Sequence, residues 1–287
     1  MIAKNLLLST GIALSAVVGV SGAAQAASFT TNLGAGSNPP KGNVFLQSIE
    51  QNGQTFTYGT NLFQVTSVDI ISNTGVSAFS AGGAGADAGD NATKPSPNRD
   101  NLGTDTASDV KATQYLGNNN LNNIIDTEDN GAFDINVFFG DEGVGRSSEG
   151  FDNLFFYERG KNSKIRVQAL DVDGNLIGTA FTITEDLWGD AGYSIDTLEI
   201  TGAQEVGSYG VSFDQLGLDD SVNRIYGLKL TALNGTGDNA FNGPDFKVFA
   251  GTYVAGTVPE PTTILGLGSV AALALVRRRR LKKVSSL

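Results

Sequence analysis

The run Asp171-Val172-Asp173-Gly174-Asn175 sets oxygen-bearing side chains at alternate positions around a glycine, the way a calcium loop begins. An EF-hand also needs an acidic ligand at its twelfth position. Counted from Asp171, that position is Thr182, and both flanks alternate like strands. The same residues therefore read first as a hairpin turn, because Asp-Gly between two alternating runs supplies the positive φ that a tight turn demands. Calcium stays a candidate cofactor at Asp171, Asp173 and Asn175, with help from another loop. The acidic loop clusters Asp126-Thr127-Glu128-Asp129, Asp141-Glu142, Asp219-Asp220 and Asp238-Asn239 read first as solvated surface.

Paired carboxylates about 5–10 Å apart can hydrolyse glycosides. With so many acids in this chain some pairs fall at that spacing by chance, and the sequence singles none out. Tyr157, Trp188 and Tyr193 could stack on sugar rings, although scattered aromatics more often fill a core or a sheet edge. Histidine is absent, which removes imidazole-dependent triads, most zinc sites and the commonest general base. Cysteine is absent too, and a body of this size can be held by burial alone. The expectation is a protein without a catalytic site.

The elements that must carry these side chains are strands. Phe133, Ile135, Val137 and Phe139 alternate with Asp134, Asn136 and Phe138, a half-buried strand at period two. Further strands are expected near Val44–Leu46, Gln54–Tyr58, Phe63–Ile71, Asp152–Arg159, Ile165–Ala169 and Leu176–Ile183. The series continues with Ile195–Thr201, Val206–Phe213, Arg224–Leu233 and Phe246–Val254. Trp188 and Tyr193 are assigned to a connecting loop packed on the sheet edge. Tyr115–Glu128 is expected to hold one short helix or turn, its asparagines serving caps and turns. Residues 79–109, with Ala81-Gly-Gly-Ala-Gly-Ala-Asp87 and Lys94-Pro95-Ser96-Pro97, are small and polar and predict a long flexible loop. No Gly-Lys-Ser/Thr ending follows the glycines, which argues against a phosphate loop. The predicted fold class is mainly β: an antiparallel sandwich, jelly-roll-like, with a closed barrel as the rival.

Charge bounds the partners. Between Ala27 and Thr257 twelve Lys and Arg face 29 Asp and Glu, a net of −17. Such a body repels phosphate backbones and anionic headgroups, so nucleic acid and direct binding to acidic lipid are excluded as main partners.

The two ends concern destination. Lys4, the apolar run Leu6–Val20 and Ala24-Gln25-Ala26 make a secretory signal peptide over 1–26, cleaved after a small-x-small site at Ala24 and Ala26. At the other end, Pro259-Glu260-Pro261 precedes an apolar segment, Thr262–Val276, and the basic cluster Arg277-Arg278-Arg279-Arg280-Leu281-Lys282-Lys283. The prolines hold an extended segment that a protease can grip. The apolar run predicts a short transmembrane helix, and the cations behind it stay cytoplasmic.

This three-part tail resembles the PEP-CTERM sorting signal of exosortase substrates. The resemblance implies cleavage by an exosortase at Pro-Glu-Pro and release or attachment at the cell surface. It also implies passage through the secretion machinery, transient residence in the inner membrane of a Gram-negative-type bacterium, and association with exopolysaccharide. A second resemblance covers roughly Val44–Val254. Tyr115-Leu-Gly-Asn, Asn153-Leu-Phe-Phe-Tyr-Glu-Arg159, Asp190-Ala-Gly-Tyr and Phe241-Asn-Gly-Pro-Asp-Phe-Lys-Val248 look like a family of exosortase-dependent surface proteins. It implies display, with no functional residues to carry over.

The expected organisation is a signal peptide (1–26), an ectodomain (27–257) and a sorting signal (258–287). Three functions fit, in this order: a surface or extracellular-matrix protein with a structural or interaction role, a carbohydrate-binding module that uses calcium or not, and a carboxylate-based polysaccharide hydrolase.

Overall fold

The structure is a computed structural model that describes residues 29–74, 84–89, 92–95, 100–127, 131–147, 151–197, 201–235 and 240–253. The signal peptide and the sorting tail lie outside the described residues.

Along the chain the strands are β1 (Thr30–Leu33), β2 (Leu46–Gln51), β3 (Gln54–Thr57), β4 (Leu62–Gln64), β5 (Ser67–Thr74), β6 (Ala84–Ala88) and β7 (Asp100–Asn101). After the helix α1 (Thr106–Leu116) come β8 (Asn123–Thr127), β9 (Ala132–Phe138), β10 (Val144–Gly145), β11 (Leu154–Arg159), β12 (Ile165–Leu170) and β13 (Leu176–Ile183). The last strands are β14 (Gly189–Ile195), β15 (Gln204–Val211), β16 (Arg224–Ile225), β17 (Gly227–Ala232) and β18 (Phe246–Gly251). The ladders between these strands are antiparallel.

The protein is mainly β, as expected. One sheet runs β13-β12-β17-β9-β5. A second runs β14-β15-β11-β18-β8-β6-β7, with β4 also on β18. A third is the small sheet β1-β2-β3.

Two apolar cores separate them. Ile135, Val137, Val167, Leu228 and Leu230 of the first sheet pack with Phe156, Tyr209, Val211 and Val248 of the second. Phe155, Tyr157 and Phe249, on the opposite side of the second sheet, pack with Ile49 and Phe56 of the third. Period two explains the division: neighbours Phe155 and Phe156 point to opposite faces and so join different cores. The second sheet is thus covered on both sides, and every residue of β6, β8, β11 and β18 is buried. The expectation is of two sheets; a third, small sheet packs on the second here. At Gly251 a Cβ would press on Phe56 and Phe155, so glycine lets the third sheet approach closely.

Residues 79–109 depart most from expectation. Ala84–Ala88 is a buried strand next to the edge of the second sheet, Asp100–Asn101 pairs with it, and Thr106 opens a helix. Alanine and glycine read as loop by composition, yet their small size suits a strand covered on both faces. The helix comes earlier than expected because Asp105 caps it, its Oδ1 accepting from Ser108 N at 2.8 Å. Part of the segment expected to be helical is instead strand β8. Tyr193, expected in a loop, lies within the edge strand β14.

Candidate functional site

The Asp171 run forms the β12–β13 turn. The Asp171 carboxylate accepts from Asp173 N at 2.9 Å and from Asn175 N at 2.8 Å, and Gly174 takes φ 78°. Its backbone N–H donors hold the carboxyl below its ordinary pKa. The hairpin reading accounts for these oxygens. Among the described residues no group of three or more Asp, Glu, His or Cys could hold a metal ion.

The three aromatics proposed for sugar stacking are interior. Trp188 donates Nε1 to Ser163 O at 2.8 Å and meets Tyr209 edge-on, while Tyr157 and Tyr193 sit in the core beside the third sheet. Pro259, Glu260, Pro261, Arg277–Arg280, Ala24 and Ala26 lie outside the described residues.

What the sequence reading missed is a buried charge centre at the rim of the second sheet. Arg159, the last residue of β11, is 4 % exposed. Its guanidinium donates Nε and Nη2 to Asp245 Oδ2 at 3.0 and 2.7 Å, Nη2 to Asp126 Oδ1 at 3.1 Å, and Nη1 to Thr197 Oγ1 at 2.7 Å. Asp245 Oδ1 also accepts from Thr127 N at 2.8 Å. Burial pushes Asp126 well above its usual range; the neighbouring Asp245 adds to this and Arg159 opposes it. Asp245 rises to about 6 for want of solvent. One guanidinium thus serves two carboxylates that do not readily ionise together. Next to it Glu158, its Oε1 accepting from Ser163 Oγ at 2.6 Å, is pushed by burial to about 7.

Asp152 is a second buried acid. It is fastened to Gln51, which accepts from Asp152 N at 2.9 Å and donates to its carboxylate, and burial raises it to about 6. Gly210 opposite makes the room, since a Cβ there would overlap that carboxylate. These displacements have a sign. A carboxyl whose pKa is raised by folding holds its proton in the native state where the unfolded chain has lost it, so stability is greatest at low pH and falls as pH rises through the folded value. For Asp152 the window runs from about 4 to about 6. Urea denaturation at pH 5 and pH 8 should show the body less stable at pH 8. Asp152→Asn should remove about 1–2 kcal/mol of that difference, because each tenfold change in proton affinity between the folded and unfolded chain is worth about 1.4 kcal/mol. An unchanged pH dependence in the variant would contradict the assignment.

An amide-lined cleft of ≈ 520 Å³ lies at the C-terminal end of α1. Gln114, Asn118, Asn119, Asn120 and Asn123 line it together with Phe45 and Lys94. Asn118 fastens the helix end: its Nδ2 donates to Gln114 O and Tyr115 O at 2.7 and 3.2 Å. The buried amine of Lys247 completes this cap, donating to Tyr115 O at 2.6 Å and Asn118 Oδ1 at 3.1 Å. Burial lowers the Lys247 pKa well below the usual range. Asn120 closes the loop onto the third sheet: its Oδ1 accepts from Val44 N at 2.9 Å and its Nδ2 donates to Asn43 at 2.8 Å. The asparagines expected to serve caps and turns do so, and in doing so they wall a cleft. The sequence reading did not single out Lys247, although a lone lysine inside an apolar strand was the signal for it.

Comparison with known proteins gives one match. Residues 257–280 match the model of the PEP-CTERM protein-sorting motif. That motif implies an exosortase-dependent exported protein that crosses a membrane on its way to the cell surface, with exosortase as processing partner. The match covers the tail and not the body, and no curated protein and no solved structure matches the chain. Among the described residues no helix is long and apolar enough to cross a membrane, and 262–276 lies outside them.

Proposed function

We propose that the protein is an exported surface or extracellular-matrix protein with a structural or interaction role, and that its body has no catalytic activity. It loses 1–26 on export and is cut by an exosortase at Pro259-Glu260-Pro261. It is then released or attached with its layered β-sandwich facing the medium. The sorting motif over 257–280 carries this reading. The body is consistent with it. Its most perturbed acids, Asp126, Asp152, Glu158 and Asp245, are engaged with Arg159, Gln51 and Ser163 inside the protein rather than gathered in a cleft. The same proposal places the body in the family of exosortase-dependent surface proteins that its sequence resembles.

Intact mass spectrometry of the protein from envelope and culture-supernatant fractions tests it. The expected species begins near Ala27 and ends between Pro259 and Pro261, with or without an added group. A species that retains Arg277–Arg280 in the mature fraction would make the tail an ordinary membrane anchor and overturn the proposal.

A further inference from the structure

The cleft at the end of α1 has a composition unlike the rest of the body. The body carries 29 acids, yet none of the residues lining the cleft is acidic. Its polar groups are five carboxamides, the Thr93 hydroxyl and the Lys94 amine; each carboxamide offers both a donor and an acceptor, the complement of adjacent sugar hydroxyls that donate and accept in turn. One of their oxygens is unspent. Asn123 is 3 % exposed, and its Oδ1 has no hydrogen-bond partner among the described residues. A buried acceptor left unmet costs stability unless a ligand or water supplies a donor. Gln114 is exposed at the rim, on the last turn of the helix.

Phe45 supplies an apolar ring for stacking. It also separates this cleft from a second one of ≈ 410 Å³, which shares Phe45 and Asn119 and carries Tyr58 in its lining. That second lining again has no acid. Two adjoining clefts in the size range of ligand sites, with an aromatic between them and another beyond, form a groove for a chain rather than a pocket for a single ring. The groove is held in shape before any ligand arrives. Asn118, Asn119 and Asn120 are each fixed by hydrogen bonds to backbone, and Asn43 ties Thr93 to the rim through a reciprocal pair at 2.7 and 3.1 Å.

We propose that this groove binds a neutral polysaccharide segment, with Phe45 as the stacking platform and the amides of Gln114 and Asn119 reading hydroxyls. The inference goes beyond the export proposal. It concerns residues of the body only, so its failure would leave the sorting result untouched.

The test uses the full chain in detergent on an array of neutral oligosaccharides (β-1,4- and β-1,3-glucans, xylans, mannans and α-glucans, one to eight units), with acidic oligosaccharides as comparison. Calorimetry on the best binder follows. Binding should strengthen from one unit to four and should survive EDTA. Phe45→Ala should weaken it about tenfold, the scale of one aromatic stacking contact. Gln114→Ala, on an exposed helical position where folding is not at stake, should weaken it severalfold. The proposal is overturned by no binding to any neutral oligosaccharide, by binding that EDTA abolishes, or by binding that Gln114→Ala leaves unchanged while the variant stays folded. Preference for the acidic set would also overturn it.

Discussion

Arg159→Met is expected to destabilise the body by about 3–5 kcal/mol at pH 8, the cost of breaking a buried ion pair from one side. The variant keeps the volume of the side chain and loses its charge. Asp245 then keeps its bond from Thr127 N and loses both guanidinium donors, while Asp126, in hydrogen-bond contact with it, loses the cation beside it. Those two carboxyls are raised by burial even in the native protein, and without Arg159 they rise further. The deficit should therefore shrink at pH 5, where a proton can replace the missing cation. Adding Asp126→Asn and Asp245→Asn to Arg159→Met should recover part of the loss at pH 8. Urea midpoints at both pH values read all of this. A deficit below about 1 kcal/mol, or one equal at pH 5 and pH 8, would show that the centre acts through packing and not charge.

Replacing Pro259 and Pro261 together by alanine should convert the mature protein almost wholly into a full-length, membrane-retained form. Two prolines around Glu260 disfavour both helix and ladder, and this is the basis for expecting that segment to be extended for a protease. Alanine removes that restriction and is the best helix former. Thr257 onwards can then continue the apolar helix expected over 262–276 back across the cleavage position. Immunoblots of membrane and supernatant fractions would show the shift. Release equal to the unsubstituted chain would mean that the prolines do not direct processing.

How much was legible follows from what each signal measures. Strands covered on one side announced themselves, as Ala132–Phe138 does with its strict alternation. Leu154–Arg159 was legible because its apolar run Leu154–Tyr157 between polar residues has few other uses. Ala84–Ala88 was not. Its burial comes from partners distant in the chain, the first core and α1 among them, and nothing in a run of alanine and glycine reports them. The Arg159 centre was hidden for a related reason. Its members come from four separate segments, and only pairing in the second sheet brings Asp126 and Asp245 to one guanidinium. The amide cleft was half legible: the asparagines were read correctly as caps, but the cleft exists only where the helix end meets Phe45.

The position of β18 has a consequence in time. It is the last described strand, yet it pairs with β11 on one side and with β4 and β8 on the other, and its residues belong to both cores. A chain delivered from its N-terminus must wait for Phe246–Gly251 with both neighbouring edges open. Such edges invite pairing with other chains, and non-local closure is slow. Pro259 follows Gly251 by eight residues, at most about 28 Å of extended chain. Closure of the fold and arrival of the cleavage motif outside the membrane are therefore nearly the same event. The order of synthesis makes the last strand a latch, and the body is complete just before the sorting motif is delivered.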